Sequence, residues 1–341
     1  MAPANGRAIG CLATVPTAAG QRQGRQVLRI VIGTDGFLEP ETTPPLSHDV
    51  AYVRHDDVAA LASALGNADA LVTRRVWVNE DLLGHARRLR LVQQVGIGTD
   101  RIDLSAAGRL AIRVANTPEA TSNAVAEHCF MLVLAALRGL VWQVESMRVG
   151  GWSGAEVWSG EEIGGKTVGI LGFGSIGADL ARRFLAFGAG VLVHTRTVPA
   201  EGRSDIAFVD LPTLMRASDI VVIAAGLNAS TKGMVGRSEI TAMKRDALLV
   251  NIARGAIVDE EAMLDALRNG RIRAALDAYA KEPLPVESPL RSLDNVVQTP
   301  HSAGSSRQSR ERIWNQMLAN LDRLADGRDL LNVVNLADMT P

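Results

Sequence analysis

The sequence predicts an α/β protein built from two units, each with a mainly parallel β-sheet. Short strand-like runs alternate with helical runs, a pattern typical of crossover units in parallel sheets. The alternation stops at a Trp- and Gly-rich stretch, residues 150–165, and then restarts. The 341 residues also exceed the usual size of one domain.

Composition and charge exclude several classes of protein. The hydrophobic share of 47% and the charged share of 21% are typical of globular proteins. The 36 Lys and Arg residues nearly balance the 37 Asp and Glu residues, whereas nucleic-acid binding favours a basic excess. The longest apolar run, residues 129–137, is too short to span a bilayer. We therefore expect neither a nucleic-acid partner nor a membrane partner.

The cysteines and the first residues indicate the compartment. Cys11 and Cys129 form no disulfide framework and no CxxC motif, which predicts a reducing cytoplasm and no metal site. Cys129 is expected to be a buried, inert thiol. Residues 1–26 lack acidic residues and a continuous apolar segment, so we predict a disordered extension. An organelle transit peptide is the alternative.

The first unit is predicted to begin with a strand at residues 27–33, a β-branched run bounded by turn residues. A helix at residues 58–65 and strands at residues 70–73 and 89–95 follow. The unit is expected to end near residues 114–118, Val-Ala-Asn-Thr-Pro.

The second unit is predicted to open with one long helix over residues 122–148. Residues 150–165 form a surface loop in this interpretation. The predicted elements that follow are strands at residues 167–171, 191–194, 220–224, 247–252 and 274–276, and helices at residues 175–187 and 260–269. An amphipathic helix at residues 305–325 is predicted last.

The strand at residues 167–171 leads directly into a glycine turn, residues 172–177, and then into a helix. Gly172 permits the tight turn, Gly174 lets backbone approach a pyrophosphate, and Gly177 lets helix and strand pack closely. The helix N-terminus offers free N–H groups to phosphates. A GxGxxG motif alone is weak evidence, but in this strand–turn–helix context it predicts dinucleotide binding.

The next strand end indicates which dinucleotide is preferred. An NAD-preferring site has Asp or Glu there, to bind the ribose hydroxyls. This chain has Thr195 and Arg196, whose hydroxyl and guanidinium suit a 2′-phosphate. We therefore predict NADP(H) as the preferred cofactor, with NAD(H) also accepted and Arg203 as a candidate helper. The alternative is that Arg196 only faces water.

Three later loops carry residues suited to carbonyl chemistry just beyond predicted strands. They are residues 251–255, 277–283 and 298–304. Arg254 offers a planar fork for a carboxylate, and His301 is a natural proton donor near neutral pH. Glu282 can orient the His301 imidazole and stabilise its charged form. Each of these residues alone could have a purely structural role. The prediction of carbonyl chemistry therefore rests on the presence of all three.

The chain resembles the D-isomer-specific 2-hydroxyacid dehydrogenase family over residues 27–335. The motifs that carry the resemblance are Val-Gly-Ile-Gly-Thr-Asp at residues 95–100, Asn-Thr-Pro at residues 116–118, Val-Ala-Glu-His at residues 125–128, the glycine turn and the three loops. The resemblance implies that Arg254, Glu282 and His301 are the catalytic residues and that Asp277 lies near the nicotinamide. It also implies that the backbone of Val95, Gly96, Ile97 and Gly98 binds the substrate carboxylate, together with Arg254 and His301.

The resemblance implies a more detailed architecture: two Rossmann-like, doubly wound parallel-sheet domains, the smaller one discontinuous and flavodoxin-like. The substrate or lid domain would comprise residues 27–117 and 302–341, and the dinucleotide-binding domain residues 118–301. The active site would lie in the cleft between them. Family members usually form homodimers through the cofactor domain, so a homodimer is expected.

The implied reaction is the reversible, NAD(P)H-dependent reduction of a 2-oxo acid to the D-2-hydroxy acid. Glyoxylate and hydroxypyruvate are the family's default substrates, and a related small-to-medium 2-oxo acid is also compatible. The alternative is a dinucleotide-sensing, corepressor-like binding protein on the same fold. The predicted cofactor-binding residues are Gly172, Gly174, Ser175, Ile176, Gly177, Thr195, Arg196, Ala225, Gly226, Ile252, Ala253, Arg254, Asp277, His301, Ala303 and Gly304.

Several positions depart from branches of the family or leave alternatives open. Ile97 replaces the lysine of the phosphite-oxidising branch, and Glu282 replaces the glutamine of the formate-oxidising branch, so neither activity fits. Ala224-Ala225-Gly226 has smaller side chains than the family's usual His-Val-Pro, which implies a more open cofactor site near the adenine or ribose.

The substrate pocket is less determined. Arg74 and Arg75 favour an anionic substrate tail, whereas Val76 and Trp77 favour an apolar one. The alternative is that both arginines face solvent. We expect His128 to be a structural histidine. Trp152 and Trp158 are either core residues or contacts to a partner subunit.

Overall fold

The computed structural model describes residues 26–41, 43–152, 160–199 and 204–339. The chain divides into two compact units, here called unit 1 and unit 2. Unit 1 comprises residues 1–120 and 310–341, and unit 2 comprises residues 121–309.

Unit 1 is a five-stranded parallel sheet with the order β2-β1-β3-β4-β5. Its elements are β1 (Arg29–Thr34), β2 (Asp49–Arg54), α1 (Val58–Leu65), β3 (Ala70–Thr73), α2 (Glu80–Gly84), β4 (Leu91–Gln94), α3 (Leu104–Arg109) and β5 (Arg113–Ala115). Successive strand residues face opposite sides of the sheet. Val31 therefore packs in the core that contains Leu61 of α1, whereas Ile30 packs in the core that contains Met317. Both faces of this sheet are thus covered.

Unit 2 is a seven-stranded parallel sheet with the order β12-β11-β10-β9-β6-β7-β8. Its elements are α4 (Ser122–Leu137), α5 (Leu140–Arg148), β6 (Thr167–Leu171), α6 (Ser175–Ala186), β7 (Gly190–His194), β8 (Ala207–Phe208), α7 (Leu211–Ala217), β9 (Ile220–Ile223), α8 (Arg237–Ala242), β10 (Leu248–Asn251), α9 (Glu260–Arg268), β11 (Arg273–Leu276) and β12 (Val296–Gln298). The strand order reverses between β6 and β9, which is where ligands bind in open α/β sheets. The last helix, α10 (Arg307–Ala325), begins in unit 2 and continues into unit 1.

The prediction of one helix over residues 122–148 is wrong. The helix breaks after α4 at Gly139, whose φ of +60° lies in the left-handed region that glycine adopts readily, and α5 departs at 66°. Among the described helices, none alone is long and apolar enough to cross a membrane; α4 and α5 reach that length only when taken as a bent pair.

The two helices differ in burial. Most residues of α4 are buried, whereas α5 has no buried residue. Cys129 of α4 is fully buried in the core of unit 2, and burial raises the pKa of its thiol. The prediction of a buried thiol is confirmed; Cys11 lies outside the described residues.

Candidate active site

The glycine turn follows β6, and each glycine has a distinct steric environment. A Cβ atom on Gly172, where φ is +98°, would lie 2.7 Å from the Ala225 backbone. A Cβ atom on Gly177 would lie 2.1 Å from the Gly172 carbonyl oxygen. At Gly174 no atom lies within 4 Å of such a Cβ. Gly172 and Gly177 are therefore required for packing, while Gly174 leaves space beside the turn.

The N-terminus of α6 borders that space. Ala178 N donates the first hydrogen bond of the helix, to Gly174 O at 2.9 Å. In the described ranges, no acceptor takes the N–H groups of Ser175, Ile176 or Gly177. These groups and the positive end of the helix dipole suit a diphosphate. The residues present therefore fit the phosphates of a dinucleotide.

The neighbouring strand brings Thr195 and Arg196 to the same edge of the sheet. The end of β7 contacts the turn directly, because Gly172 N donates to His194 O at 2.8 Å. Arg196 is exposed, and no carboxylate in the described part of unit 2 pairs with it. Arg203 lies outside the described residues.

On the other side of the turn, Ala225 and Gly226 follow β9. Ala224 N donates to Leu171 O at 2.8 Å, which holds the start of this segment against β6. Gly226 O accepts a hydrogen bond from Thr231 Oγ1 at 2.7 Å. A Cβ on Gly226 would meet no atom within 4 Å, so there is open space beside Gly226 on this side of the glycine turn.

The structure joins two of the predicted catalytic residues directly. His301 Nδ1 lies 2.7 Å from Glu282 Oε2, and the other carboxylate oxygen accepts the Tyr279 N–H at 3.1 Å. Burial disfavours ionisation of Glu282, but the hydrogen bond from His301 and the charges of His301 and Arg254 outweigh it. The pKa of Glu282 therefore lies below its ordinary value. The glutamate is held ionised and fixes the orientation of the imidazole.

Arg254 belongs to the same group in unit 2, since its charge contributes to the lowered pKa of Glu282. Its backbone is held by Asn251, whose Nδ2 donates to Arg254 O at 3.0 Å. The next residue, Gly255, lies directly against the Tyr279–Ala280 peptide, where a Cβ would be 1.9 Å from Tyr279 C. This close contact couples the loop of Arg254 to the loop of Glu282.

The backbone of His301 is also constrained. Its φ is +52°, in the left-handed region that costs a non-glycine residue about 1 kcal/mol or more. Asp277 holds the next two residues, accepting the N–H groups of Ser302 at 2.8 Å and Ala303 at 2.9 Å. Asp277 therefore supports the loop that presents the imidazole.

The side chains of Thr299 and His128 hold Asp277 in place. The sequence did not indicate that these two residues meet. Thr299 Oγ1 donates to Asp277 Oδ1 at 2.6 Å and so accepts from His128 Nε2 at 2.9 Å. Burial opposes ionisation of Asp277, but these hydrogen bonds outweigh burial and lower its pKa. In the sequence, the feature that could have indicated these supporting contacts is Asp277, a carboxylate directly after an apolar strand.

The remaining predicted cofactor residues line the ends of β10 and β12. Ile252 and Ala303 are buried in the core of unit 2, and Ala253 N is held by Asn251 Oδ1 at 3.0 Å. Gly304 lies beside Thr121, whose Cγ2 would be 3.4 Å from a Cβ at that position. Among the described residues, no group of three or more His, Cys, Asp or Glu side chains is placed to hold a metal ion.

In unit 1, the predicted carboxylate-binding backbone follows β4. Gly96 has a φ of +119°, and its N–H donates to Thr117 Oγ1 at 2.8 Å. Asn116 Nδ2 fixes Ile97 O at 2.9 Å. The N–H groups of Ile97 and Gly98 have no acceptor within the described residues, whereas the Val95 N–H is bound to Thr73 O at 2.7 Å. Adjacent free N–H groups form a concavity suited to an anion.

Comparisons with known proteins agree with this geometry. Residues 130–303 match the sequence model of the D-isomer specific 2-hydroxyacid dehydrogenase NAD binding domain. The chain is 40% identical over 285 residues to a glyoxylate reductase of Aeropyrum pernix, which covers 81% of this chain and 85% of that protein. It is 37% identical over 278 residues to glyoxylate/hydroxypyruvate reductase B of Pectobacterium atrosepticum, covering 80% and 87%.

A solved structure is similar over most of its length. An acyclic imino acid reductase in complex with NADPH and D-Arg superposes with a TM-score of 0.82 at 26% identity, covering 90% of this chain and 100% of that one. The chain belongs to the D-isomer-specific 2-hydroxyacid dehydrogenase family. It is a dehydrogenase that binds a nicotinamide dinucleotide and acts on 2-oxo and 2-hydroxy acids, with the predicted two α/β parallel-sheet domains.

Proposed function

We propose that this chain reduces glyoxylate, hydroxypyruvate or a related small-to-medium 2-oxo acid to the D-2-hydroxy acid. The observation that carries the proposal is the pair His301–Glu282, held at 2.7 Å with Arg254 in the same group. Relatives that are glyoxylate and hydroxypyruvate reductases support the choice of substrate. They disfavour the corepressor-like alternative.

When bound, a nicotinamide dinucleotide would supply the hydride that C2 of the 2-oxo acid accepts. Arg254 binds the carboxylate and carbonyl oxygens through its planar fork. Because Glu282 accepts a hydrogen bond from His301 Nδ1, the Nε2 proton is the one available to the carbonyl oxygen. The free N–H groups of Ile97 and Gly98 are proposed to bind the substrate carboxylate as well.

NADPH is proposed as the preferred cofactor. The position after β7 holds Thr195 and Arg196 in place of a carboxylate, so a 2′-phosphate meets a hydroxyl and an exposed guanidinium. The NADPH-bound imino acid reductase supports use of this cofactor on a related fold.

A homodimer formed through unit 2 is proposed from the exposed apolar surface around α5. The apolar side chains of this surface are 37–86% exposed. They are Met131, Leu134, Leu140, Val141, Trp142, Val144, Met147, Val149 and Trp152. Several large apolar side chains exposed along consecutive helices are typical of protein–protein interfaces. Trp158 lies outside the described residues.

The replacement Trp142→Glu would place a charge in that surface and is expected to produce a monomer, detectable by light scattering after gel filtration. A dimer of unchanged stability in this variant would contradict the proposed interface. A cytoplasmic location is also proposed and is supported by the free, buried thiol of Cys129.

The experiment that tests the function is oxidation of NADPH with glyoxylate, hydroxypyruvate and larger 2-oxo acids, followed by chiral analysis of the product. The replacement His301→Ala should lower kcat by at least about a hundredfold while the Kd of the dinucleotide changes little. Tight dinucleotide binding without turnover of any 2-oxo acid would refute the proposal. Full activity of His301→Ala would refute the assigned proton donor.

A further inference from the structure

Two arginines lie over one aromatic ring at the carboxyl edge of the sheet in unit 1, and a third lies beside them along the chain. The guanidinium carbon of Arg74 lies 5.3 Å from the centre of the Phe37 ring, and that of Arg310 lies 5.2 Å from it. Arg75 follows Arg74 and reaches within 4.0 Å of the same carboxylate, Asp35. Arg74, Arg75 and Arg310 are here called the arginine cluster.

Among the described residues, one carboxylate, that of Asp35, lies within 4.0 Å of the cluster and contacts two of its three guanidinium groups. The side chain of Asp35 has no exposed surface. Its Oδ2 lies 2.6 Å from Arg74 Nε, and its Oδ1 accepts the N–H groups of Phe37 and Leu38. A second acid of this loop, Glu39, accepts the Gly36 N–H at 2.7 Å. Within the described part of the chain, Arg310 has no carboxylate oxygen within 4.0 Å. The first turn of α10, which carries Arg310, has no acidic residue, although a helix N-terminus favours one.

The buried carboxylate orients Arg74 in a way that suits a ligand. Asp35 takes the Nε hydrogen of Arg74, so the two terminal nitrogens have no acceptor among the described residues. No described residue accepts a hydrogen bond from Arg75 or Arg310 either. The side chains of Arg74 and Arg75 are 29% and 37% exposed. Guanidinium groups held in this way bind carboxylate or phosphate oxygens well.

The cluster adjoins the backbone proposed to bind the substrate carboxylate. Strand β3, which Arg74 follows, pairs with β4, which leads to Gly96 and Ile97. Gln94 Nε2 donates to Arg74 O at 3.4 Å, so Arg74 starts one strand spacing away, about 4.8 Å. Gly96 and Ile97 come two and three residues after Gln94, so Arg74 and the carboxylate-binding backbone follow the ends of neighbouring strands.

The residues that would instead make an apolar pocket lie elsewhere. Val76 is 2% exposed and belongs to the core of unit 1, where its Cγ2 would be 2.6 Å from a Cβ on Gly33. Trp77 is 64% exposed, and its ring is covered by the Arg101 guanidinium at 4.8 Å. Of residues 74–77, Arg74 and Arg75 are therefore the candidates for contact with the substrate tail.

We propose that the arginine cluster binds a second anionic group at the far end of the substrate, so that the preferred substrates are 2-oxo acids with a distal carboxylate or phosphate. This inference rests on the proposed function for the position of the first carboxylate. It narrows the substrate class from 2-oxo acids in general to those with two anionic ends.

Two matched substrate pairs test the proposal. 2-Oxoglutarate is compared with 2-oxohexanoate, and 3-phosphonooxypyruvate with hydroxypyruvate; kcat/KM is expected to be at least about tenfold higher for the anionic member of one or both pairs. The pair that shows the preference identifies carboxylate or phosphate as the group bound. Equal or higher kcat/KM for the neutral member of both pairs overturns the proposal.

Variants assign the preference to the cluster. Arg310→Gln and Arg75→Gln should each lower the ratio of kcat/KM, anionic over neutral, by about tenfold. Neither residue makes the short bond to Asp35, so neither change removes the closest partner of that buried carboxylate. The control Arg109→Gln changes an exposed arginine of α3 paired with Glu80 and should leave the ratio unaltered. An anionic preference that persists in both cluster variants overturns the assignment.

A binding measurement separates this proposal from the proposed function. Calorimetric titration of the dinucleotide-bound protein with D-2-hydroxyglutarate and D-2-hydroxyhexanoate compares the same two tails without turnover. We expect a Kd about tenfold lower for D-2-hydroxyglutarate, and a weaker preference in Arg310→Gln. If no 2-oxo acid is reduced, the proposed function fails while this titration still decides the role of the cluster. Equal Kd values overturn it.

Discussion

Thr299 and Asp277, which are 22 positions apart in the sequence, are joined by a hydrogen bond of 2.6 Å from the threonine hydroxyl to the carboxylate. Because that hydroxyl also accepts from His128, it connects helix α4 to the loop that carries His301. The same carboxylate holds the backbone just after His301. The position of the proposed proton donor thus depends on residues that do not touch the substrate.

Replacing Thr299 with valine removes this connection without a large change in volume. The His128 nitrogen and the Asp277 carboxylate would each lose a partner, and a buried group left without a partner costs about 1–3 kcal/mol. We expect a lower melting temperature and a kcat reduced by about tenfold or more, measured by calorimetry and NADPH oxidation. Thr241→Val, at an exposed position of α8, is the control. Unchanged kcat in Thr299→Val would contradict the supporting role.

The lowered pKa values of Asp277 and Glu282 predict acid sensitivity. A carboxyl group whose pKa is lower in the folded protein stabilises it above the unfolded pKa, about 4, and this stabilisation is lost as the pH falls through the folded pKa. The free energy of unfolding should therefore decline as the pH falls below about 5. Urea unfolding at several pH values measures this dependence.

The matched variant for that experiment is Asp277→Asn, which does not titrate. Its unfolding free energy should vary less with pH in the acid range, by about 1.4 kcal/mol for each unit by which folding lowers the wild-type pKa. It should also be less stable than the wild type at neutral pH, because Ser302, Ala303 and Thr299 lose their ionised acceptor. Identical pH profiles for the two proteins would rule out this origin of acid sensitivity.

The cofactor preference should depend on Arg196. A charge-assisted hydrogen bond to a 2′-phosphate contributes about 1.5–3 kcal/mol, so Arg196→Ala should lower the NADPH-over-NADH ratio of kcat/KM by about tenfold to a hundredfold. The matched control is Arg182→Ala, an exposed arginine of α6 that pairs with Asp179. A ratio that does not change in Arg196→Ala would show that the guanidinium only faces water.

The glycine turn allows binding and folding to be separated. Gly174→Ala adds a methyl group where no protein atom lies within 4 Å and where φ is −78°, so the protein should fold normally. The methyl group would occupy the space proposed for the diphosphate, and we expect the dinucleotide Kd to rise by about tenfold or more. Fluorescence titration with NADPH measures the affinity.

Gly177→Ala is the contrasting variant. Its methyl carbon would lie 2.1 Å from Gly172 O, so the helix and the turn must move apart. We expect a clearly lower melting temperature, because overpacking of this kind costs about 1–3 kcal/mol or more. Normal dinucleotide affinity in Gly174→Ala would argue against a diphosphate at the turn.

Much of the fold was predictable because local patterns decide it. The bounds of α1, β3 and β6 agree with the predictions, since each is a periodic or β-branched run between turn residues. The edge strands β2 and β8 and the short helices α2 and α3 were missed. The elements β8, α2 and α3 are only two to six residues long, and β2 has a single buried residue, so its burial does not alternate. The break at Gly139 was missed because tertiary packing, and not local pattern, decides whether an internal glycine ends a helix.

The same contrast applies to the site. The predicted pair His301–Glu282 is brought together in the structure, and those residues stand in loops that follow strands. The bond between His128 and Thr299 spans 171 positions, and neither residue type marks it in advance. The pairing of Arg74 with Asp35 spans 39 positions and was also not predicted, although Arg74 itself was a candidate for the substrate pocket.

Because Cys129 is fully buried, the labelling rate of its thiol can be used to measure local opening of unit 2. The thiol has no exposed surface, so a labelling reagent reaches it only when the helix α4 detaches from the sheet beneath it. In a protein whose Cys11 is replaced by serine, the rate of thiol labelling would count those opening events directly. Slower labelling in the presence of the dinucleotide would then measure how strongly cofactor binding opposes opening of the unit.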